Sequence, residues 1–475
     1  MVTWRRSFLL LVSALMLSAC DDAPRFTQAE PGEALSGGKA TVNKRDANAF
    51  SLPSANLTPM RRLDFSVGNS FFRSPWVIAP ATTTARDGLG PLFNTNACQN
   101  CHIKDGRGHP PEPDDINAVS MLVRLSIPDD AQQAELIRRN GVLPEPTYGG
   151  QLQDMAVPGV APEGRVRIEY EPMPVYFRDG TQVDLQKPTL SITHLGYGPL
   201  HPQTRASVRI APPMIGLGLL EAIPDAAILA SADPDDKDDD GISGRPNWVW
   251  DDARQQVAMG RFGWKAGQPN LNQQNVHAFS GDMGLTTSLR DFDDCTPVQV
   301  DCLAAANGKG ADGEPEVSDN ILRLVLFYSR NLAVPARRDV ENPQVLAGKN
   351  LFYKAGCQQC HTPQFKTRHD AAEPELANQI IRPYSDLLLH DMGDELADNR
   401  TEFQATGREW RTPPLWGIGL TGTVSGHTRF LHDGRARNLM EAVLWHGGEA
   451  QAAQRQVLAF DAGQRAALLA FLNSL

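Results

Sequence analysis

The chain lacks an excess of positive charge: 45 Lys and Arg stand against 56 Asp and Glu, a formal charge of −11 over 475 residues. Phosphate backbones repel such a balance, which argues against a nucleic-acid partner. It also lacks long hydrophobic runs. Its apolar stretch from Phe8 to Leu17 is too short to cross a ~30 Å bilayer core, so a polytopic membrane protein is excluded. Cysteine is scarce, with seven residues, too few for a disulfide-built scaffold at this length. Aromatics make up only 7%, but hydrophobic residues at 41% and charged residues at 21% are ordinary for a globular chain and exclude wholesale disorder or collagen. What the chain has in quantity is glycine, 40, and proline, 35, which predicts long loops and short elements. Its length predicts two or three domains.

Arg5-Arg6, the apolar stretch and the small residues after it read as a secretory signal. The stretch ends Leu17-Ser18-Ala19-Cys20-Asp21-Asp22 and resembles a bacterial lipobox. Residues 1–19 are then a lipoprotein signal peptide and Cys20 is the lipidation site; a plain signal peptide with a chance cysteine is the alternative. The expected location is periplasmic, lipid-anchored to a bacterial membrane. Acids directly after the lipidated cysteine resemble a retention signal and favour the inner membrane over the outer. Residues 20–55, with Pro24, Pro31, Gly32, Gly37 and Gly38, read as a flexible tether.

Two motifs carry chemistry. Cys98-Gln99-Asn100-Cys101-His102 and Cys357-Gln358-Gln359-Cys360-His361 are both C-x-x-C-H. Two thiols about one helical turn apart can add to the two vinyl groups of one haem, and the adjacent histidine then faces the iron. The chain is therefore expected to carry two covalently bound haem c groups through Cys98, Cys101, Cys357 and Cys360, with His102 and His361 as proximal iron ligands. A zinc or dithiol reading of C-x-x-C is weaker, because no further C-x-x-C completes a Cys₄ site. Both motifs extend to L-F-x4-C-Q-x-C-H, from Leu92-Phe93 and Leu351-Phe352. That repeat predicts an apolar pair on a helix leading into each haem. A second echo follows: Pro212-Pro213-Met214-Ile215-Gly216-Leu217-Gly218-Leu219 matches Pro413-Pro414-Leu415-Trp416-Gly417-Ile418-Gly419-Leu420, with Arg209 and Arg411 shortly before.

Asp236, Asp238 and Asp240, followed by Gly241, alternate as a tight calcium loop does, although Asn247 stands where an EF-hand needs its bidentate Glu. Calcium and a solvated acidic loop both remain open. Cys295 and Cys302 suit a structural disulfide in an exported chain. A redox-active dithiol is the sharper alternative, disfavoured by Asp291, Asp293, Asp294 and Asp301, which would raise the thiol pKa values. Met121 lies in a period-two run from Val119 to Ile127 and reads as strand core, and alternation at 166–170, 175–177 and 183–185 predicts a β insertion turning at Gly180. Helical periodicity appears at 321–332 and 464–475. For the first iron's sixth position His194, His201 and His277 are open candidates, and Trp76, Trp248, Trp250 and Trp264 are candidates for relaying electrons.

The C-terminal stretch, with His432-Asp433-Gly434 and Trp445-His446-Gly447-Gly448, completes a pattern with both C-x-x-C-H motifs, the Arg411-x-Pro413-x-Leu415 run, Gly260-Arg261-Phe262-Gly263-Trp264-Lys265 and Asp282-Met283-Gly284-Leu285-Thr286. From about residue 60 onward the chain resembles the bacterial dihaem cytochrome c peroxidase superfamily, and more narrowly its branch called dihaem, or thiol, oxidoreductases. The resemblance implies a mainly α fold of two cytochrome c-like haem domains, 56–335 with a β insertion, acidic loop and long loops, and 336–475. In the peroxidases a methionine at about this distance after the H-x-G turn ligates the electron-accepting haem. His446 falls there, so the resemblance implies bis-histidine ligation by His361 and His446, with Met440 as the alternative. It further implies an oxidoreductase that takes electrons from a redox partner protein at the C-terminal haem and passes them to the N-terminal haem to reduce a small-molecule oxidant, hydrogen peroxide. A non-catalytic dihaem electron-transfer module, linked to iron acquisition, and an oxidant of a protein substrate stay open; a thiol oxidoreductase centred on Cys295 and Cys302 ranks last. Related peroxidases use a Gln and a Glu beside the peroxidatic haem; Gln151, Gln153 and Glu163 lie in a Gly-rich loop that suits this, but no motif assigns them.

Overall fold

The computed structural model describes residues 26–83, 85–111, 119–310 and 312–475. The signal segment and Cys20 lie outside the described residues.

Around the first motif, helix Pro59–Arg73 packs against helix Asp319–Asn331. Thr58 and Ser318 start these helices by accepting the backbone N–H three residues on, and Pro59 sits at the first position, where no N–H is needed. Phe65 and Phe72 project at helical spacing onto buried Tyr328, with ring centroids 4.7 and 5.1 Å apart. Helix Leu271–Met283 packs on the same element. Around the second motif, helices Pro343–Lys354 and Ala462–Ser474 pair; Asp461 and Gln464 form a capping box that begins the latter.

Strand Met121–Ser126 is the centre of a three-stranded sheet, between Gln151–Leu152 and Arg205–Ile210. Its alternation buries Met121, Val123 and Leu125. The β insertion is a long hairpin, Arg165–Tyr176 against Gln182–Thr193, which turns at Gly180. It lies on the second unit: Arg178 N–H donates to Leu458 O at 2.9 Å, and Asp179 pairs with Arg465 at 2.8 Å.

Three expectations need correction. The fold is not mainly α. Helix and strand are mixed, with six small antiparallel sheets among the described residues, two of them (365–366 with 380–381, and 389–391 with 409–411) inside the second unit. Apart from the five helices named above, the helical segments among the described residues run for only one or two turns, and extended segments between them pair locally. Second, the described part of the tether, 26–55, is packed. Val42 bridges to Pro335, Ser54 N–H donates to Asn331 O, and the side chain of Asn350 bonds both N–H and C=O of Phe26. Its Gly and Pro residues shape turns against the body of the protein. Third, the L-F repeat is not structural. Leu351-Phe352 lies on a helix, but Leu92-Phe93 is a strand paired with Met155–Ala156. The counterpart of Phe352 is instead Phe72: each ring lies 6.2 Å from the histidine of its motif, His361 or His102.

The second echo does mark a structural repeat. Gly216 and Gly417 both take φ above +70° or at it (70° and 73°) and open short helices. A Cβ on Gly216 would strike the Trp416 ring at 2.3 Å, and one on Gly417 would strike Ile215 at 2.6 Å. The two echoes are packed on one another.

Candidate functional site

The second motif opens onto a cavity of about 540 Å³. Cys357, Cys360 and His361 line one side; Leu439, Ala442, Val443 and His446 line another. Helix Leu439–Leu444 ends just before His446, with Asn438 as its cap. His361 Nδ1 lies 2.9 Å from the carbonyl oxygen of Tyr384, and His446 Nδ1 lies 2.8 Å from that of Ala442. A carbonyl can only accept, so each Nδ1 carries the proton and each Nε2 keeps a free lone pair. Burial pulls His361 down to about 4 and lowers His446 as well, which keeps both rings neutral, as metal ligation requires. Their ring centroids are 6.5 Å apart. Two imidazoles sharing one metal at roughly 2 Å from each nitrogen would have centroids about 6 Å apart. Met440, in contrast, is buried in the core and does not line the cavity.

The cavity fits a haem. Phe352, Leu415, Ile418, Leu468 and Leu472 give it an apolar wall. Arg107 and Arg411 also face it, both buried, and burial pulls each down to about 10. Neither makes an ion pair with a carboxylate among the described residues; each bonds only to backbone carbonyls. Two buried cations that make no ion pair among the described residues suit a ligand that carries two carboxylates, as haem does through its propionates. Arg107 comes from the loop five residues past His102, so the first unit supplies part of the second cavity. Trp264 does the same, with Arg107 over its ring at 5.5 Å. Of the four candidate relay tryptophans it alone lines this cavity; Trp76 is packed against Phe279, Trp250 lies under Arg138, and Trp248 is partly exposed.

At the first motif, Cys98–Cys101 form one helical turn and His102 Nδ1 lies 2.8 Å from the carbonyl of Pro212, again leaving Nε2 free. Burial pulls His102 down to about 4. His102 makes its ring contact with Phe72, and none with a second imidazole among the described residues. His277 has both nitrogens engaged, by Gln268 and Asp252. His194 is exposed, and His201 Nδ1 accepts from Gln203 N–H. Burial and the nearby Asp282 carboxyl raise the Cys98 and Cys101 thiols, so these residues are inert as free thiolates.

Beside Asp282 is a buried polar group that sequence reasoning left unassigned. Gln151 Nε2 donates to Asn94 Oδ1, Gly281 O and Asp282 Oδ1, and Gln153 Nε2 donates to Gly281 O at 2.9 Å. Gln151 Oε1 is buried without a hydrogen-bond partner. A Cβ added at buried Gly281 would meet nothing nearer than that oxygen, at 3.8 Å. The space beside Gly281 and the orphaned amide oxygen fit a group that the protein itself does not supply. Behind Gln153 stands Glu163, fully buried, accepting from Gln153 N–H at 2.6 Å and from Gln299 Nε2 at 2.6 Å. Burial pushes its carboxyl up to about 8, so it holds a proton at neutral pH. Gln299 is in turn carried by the loop between Cys295 and Cys302, which are joined by a disulfide.

The carboxylates of Asp236, Asp238 and Asp240 converge within 4.8 Å, and Asp240 accepts from Gln359 of the second motif at 3.0 Å. His390 had no sequence signal. It is buried at the second cavity with Nε2 2.8 Å from Asp386 and Nδ1 2.7 Å from Glu449; burial lowers its pKa, but the two carboxylates outweigh this and hold it well above the usual histidine range.

Residues 32–475 match the family described as "Di-haem oxidoreductase, putative peroxidase". No protein of curated function matches the chain. Among solved structures there is a similarity to hydrazine synthase of Kuenenia stuttgartiensis, in a xenon-pressurised crystal, at 17% identity and a TM-score of 0.23, covering 38% of this chain and 63% of that one. The chain belongs to the di-haem oxidoreductase family.

Proposed function

From this membership, we propose that the chain is a periplasmic, lipid-anchored dihaem c oxidoreductase in which electrons from a partner protein enter at the His361/His446 centre and are delivered at the His102 centre to hydrogen peroxide. The observation that carries this reading is an asymmetry between two equally built proximal sites. His361 faces a second imidazole across one cavity, whereas His102 faces none among the described residues. A saturated centre suits electron transfer, and a centre with an open position suits reaction with a small oxidant. Bound haem supplies one-electron redox chemistry at both centres and the site of peroxide cleavage at the open one.

The chain's own groups do the rest. The backbone carbonyls of Pro212, Tyr384 and Ala442 fix the tautomer and orientation of the three histidines. Arg107 and Arg411 bind carboxylates in the second cavity. Trp264 offers an aromatic stepping-stone between the units. Glu163, protonated at neutral pH, holds the proton that splitting an O–O bond consumes, and Gln153 and Gln151 lead from it toward Gly281. A calcium ion among Asp236, Asp238 and Asp240 would tie that loop to Gln359.

Haem staining of the denatured chain, expressed in cells that mature cytochromes c, should give a band, lost in the Cys98→Ala/Cys101→Ala/Cys357→Ala/Cys360→Ala variant. The loaded protein should turn over peroxide and show one low-spin bis-histidine centre by electron paramagnetic resonance. Two six-coordinate centres in every redox state, with no peroxide turnover, would favour the electron-transfer module instead.

A further inference from the structure

The segment just after the N-terminal region ends in a buried ion network behind the second proximal histidine. Glu33, Arg337 and Lys349 are all buried. Glu33 pairs with Arg337 through Oε1, and the same oxygen lies 2.8 Å from Lys349 Nζ. Lys349 also reaches half-exposed Glu30 at 2.6 Å and sits 3.9 Å above the Phe26 ring. Arg337 Nη1 donates to Tyr384 Oη at 3.3 Å, and Nε donates to Ser474 Oγ at 3.1 Å. The backbone carbonyl of that same Tyr384 is the group that accepts from His361 Nδ1. One residue therefore connects the N-terminal segment to the histidine.

Lys349 lies on helix Pro343–Lys354 and Arg337 in the segment leading to it, and Glu33 is the fully buried anion they share. Buried cations are tolerated only when paired, and the partner here arrives from over 300 residues away in sequence. Nothing in the cavity itself uses this network: none of Glu33, Arg337 and Lys349 lines it.

We propose that Glu33 is a positioning and charge-setting residue for the second centre, holding Arg337 against Tyr384, whose carbonyl orients His361, and offsetting, with Glu30, the positive charge of Arg337 and Lys349 so that the reduced state of that centre is not over-stabilised. The inference rests on the reading that His361 ligates a haem. A reduced centre carries one more electron than an oxidised one. Uncompensated positive charge nearby favours it and raises the midpoint potential; Glu33 thus keeps the potential low, in the same direction as replacing a thioether by the imidazole of His446.

The test is spectroelectrochemical titration of the haem-loaded full chain. Glu33→Gln keeps the shape and removes the charge; it should move the second centre's midpoint upward and leave the first centre's in place. Glu33→Asp should stay close to the parent. Glu33→Gln combined with Lys349→Met removes one charge of each sign and should return the midpoint toward the parent, which mere loosening of the segment would not do. A Glu33→Gln midpoint equal to the parent's, or a double variant shifted as far as the single one, overturns the inference alone. Absence of any redox wave assignable to the His361 centre overturns the functional reading, and this inference with it.

Discussion

Three imidazoles, at 102, 361 and 446, are oriented by one device: a backbone carbonyl accepts from Nδ1–H and leaves the Nε2 lone pair free to bind a metal. Replacing His446 by Met should preserve haem attachment, raise the second centre's potential, and convert its bis-histidine resonance to a histidine–methionine one. Glu163 makes a second prediction at this scale. Its folded pKa is raised to about 8, so the carboxyl is protonated below that pH and ionises above it. Peroxide turnover that draws on this proton should be full near pH 6 and fall as pH rises through about 8. Because the folded value lies above the ordinary carboxyl value, the fold also loses stability as pH rises from that ordinary value to about 8, the range in which the unfolded chain has released the proton that buried Glu163 still holds, and levels off above it. Glu163→Gln should lower turnover by roughly 10²-fold or more and abolish that alkaline limb. The cysteine pairs, the histidines beside them and the Asp loop stand out in the sequence as candidates because each pattern lies within a few residues. Arg107 and His390 do not stand out, and Gln151 and Glu163 do so only as residues of a suitable loop, since each acquires its meaning from partners farther along the chain.

Among elements, the disulfide-closed loop has two effects. Cys295→Ser/Cys302→Ser should cost about 2 kcal/mol, the value for so short a loop. It should also free Gln299 and so blunt the pH limb of Glu163, while leaving haem content unchanged; total loss of turnover with Glu163 titrating normally would point to a dithiol function instead. The paired echo segments predict a larger effect. Gly216→Ala places a side chain at a left-handed position and against the Trp416 ring, and should destabilise by about 2 kcal/mol or more, measured as a lower midpoint in denaturant. The echo was readable as a repeat in sequence, and so were the hairpin and the strand through Met121, because alternation and turn glycines are local signals. Overall class was misread because small two-residue pairings such as Leu92–Phe93 with Met155–Ala156 have no periodicity to detect, and a motif before C-x-x-C-H looks helical whichever way it folds.

For the whole molecule, the two units share a wall. Trp264 and Arg107 of the first reach the cavity of the second, and the long hairpin lies across the second unit's surface. Trp264→Phe should slow electron passage between centres, followed by flash reduction, while changing neither ligation nor peroxide binding. The N-terminal segment, which read as a tether from its Gly and Pro content, is bound through charges that composition does not distinguish from solvated ones; Glu33 looks like any surface acid until Arg337 and Lys349 are placed beside it.

The shared wall also bears on descent and on biosynthesis. A fragment starting near residue 335 would keep Cys357, Cys360 and His361 but lack Arg107 and Trp264 in the wall of its cavity. Changes in the second unit's cavity are then tied to the first unit, because the lining includes side chains from both. In the growing chain, Arg107 and Trp264 are made long before Cys357, so the later pocket is finished against a surface that already exists.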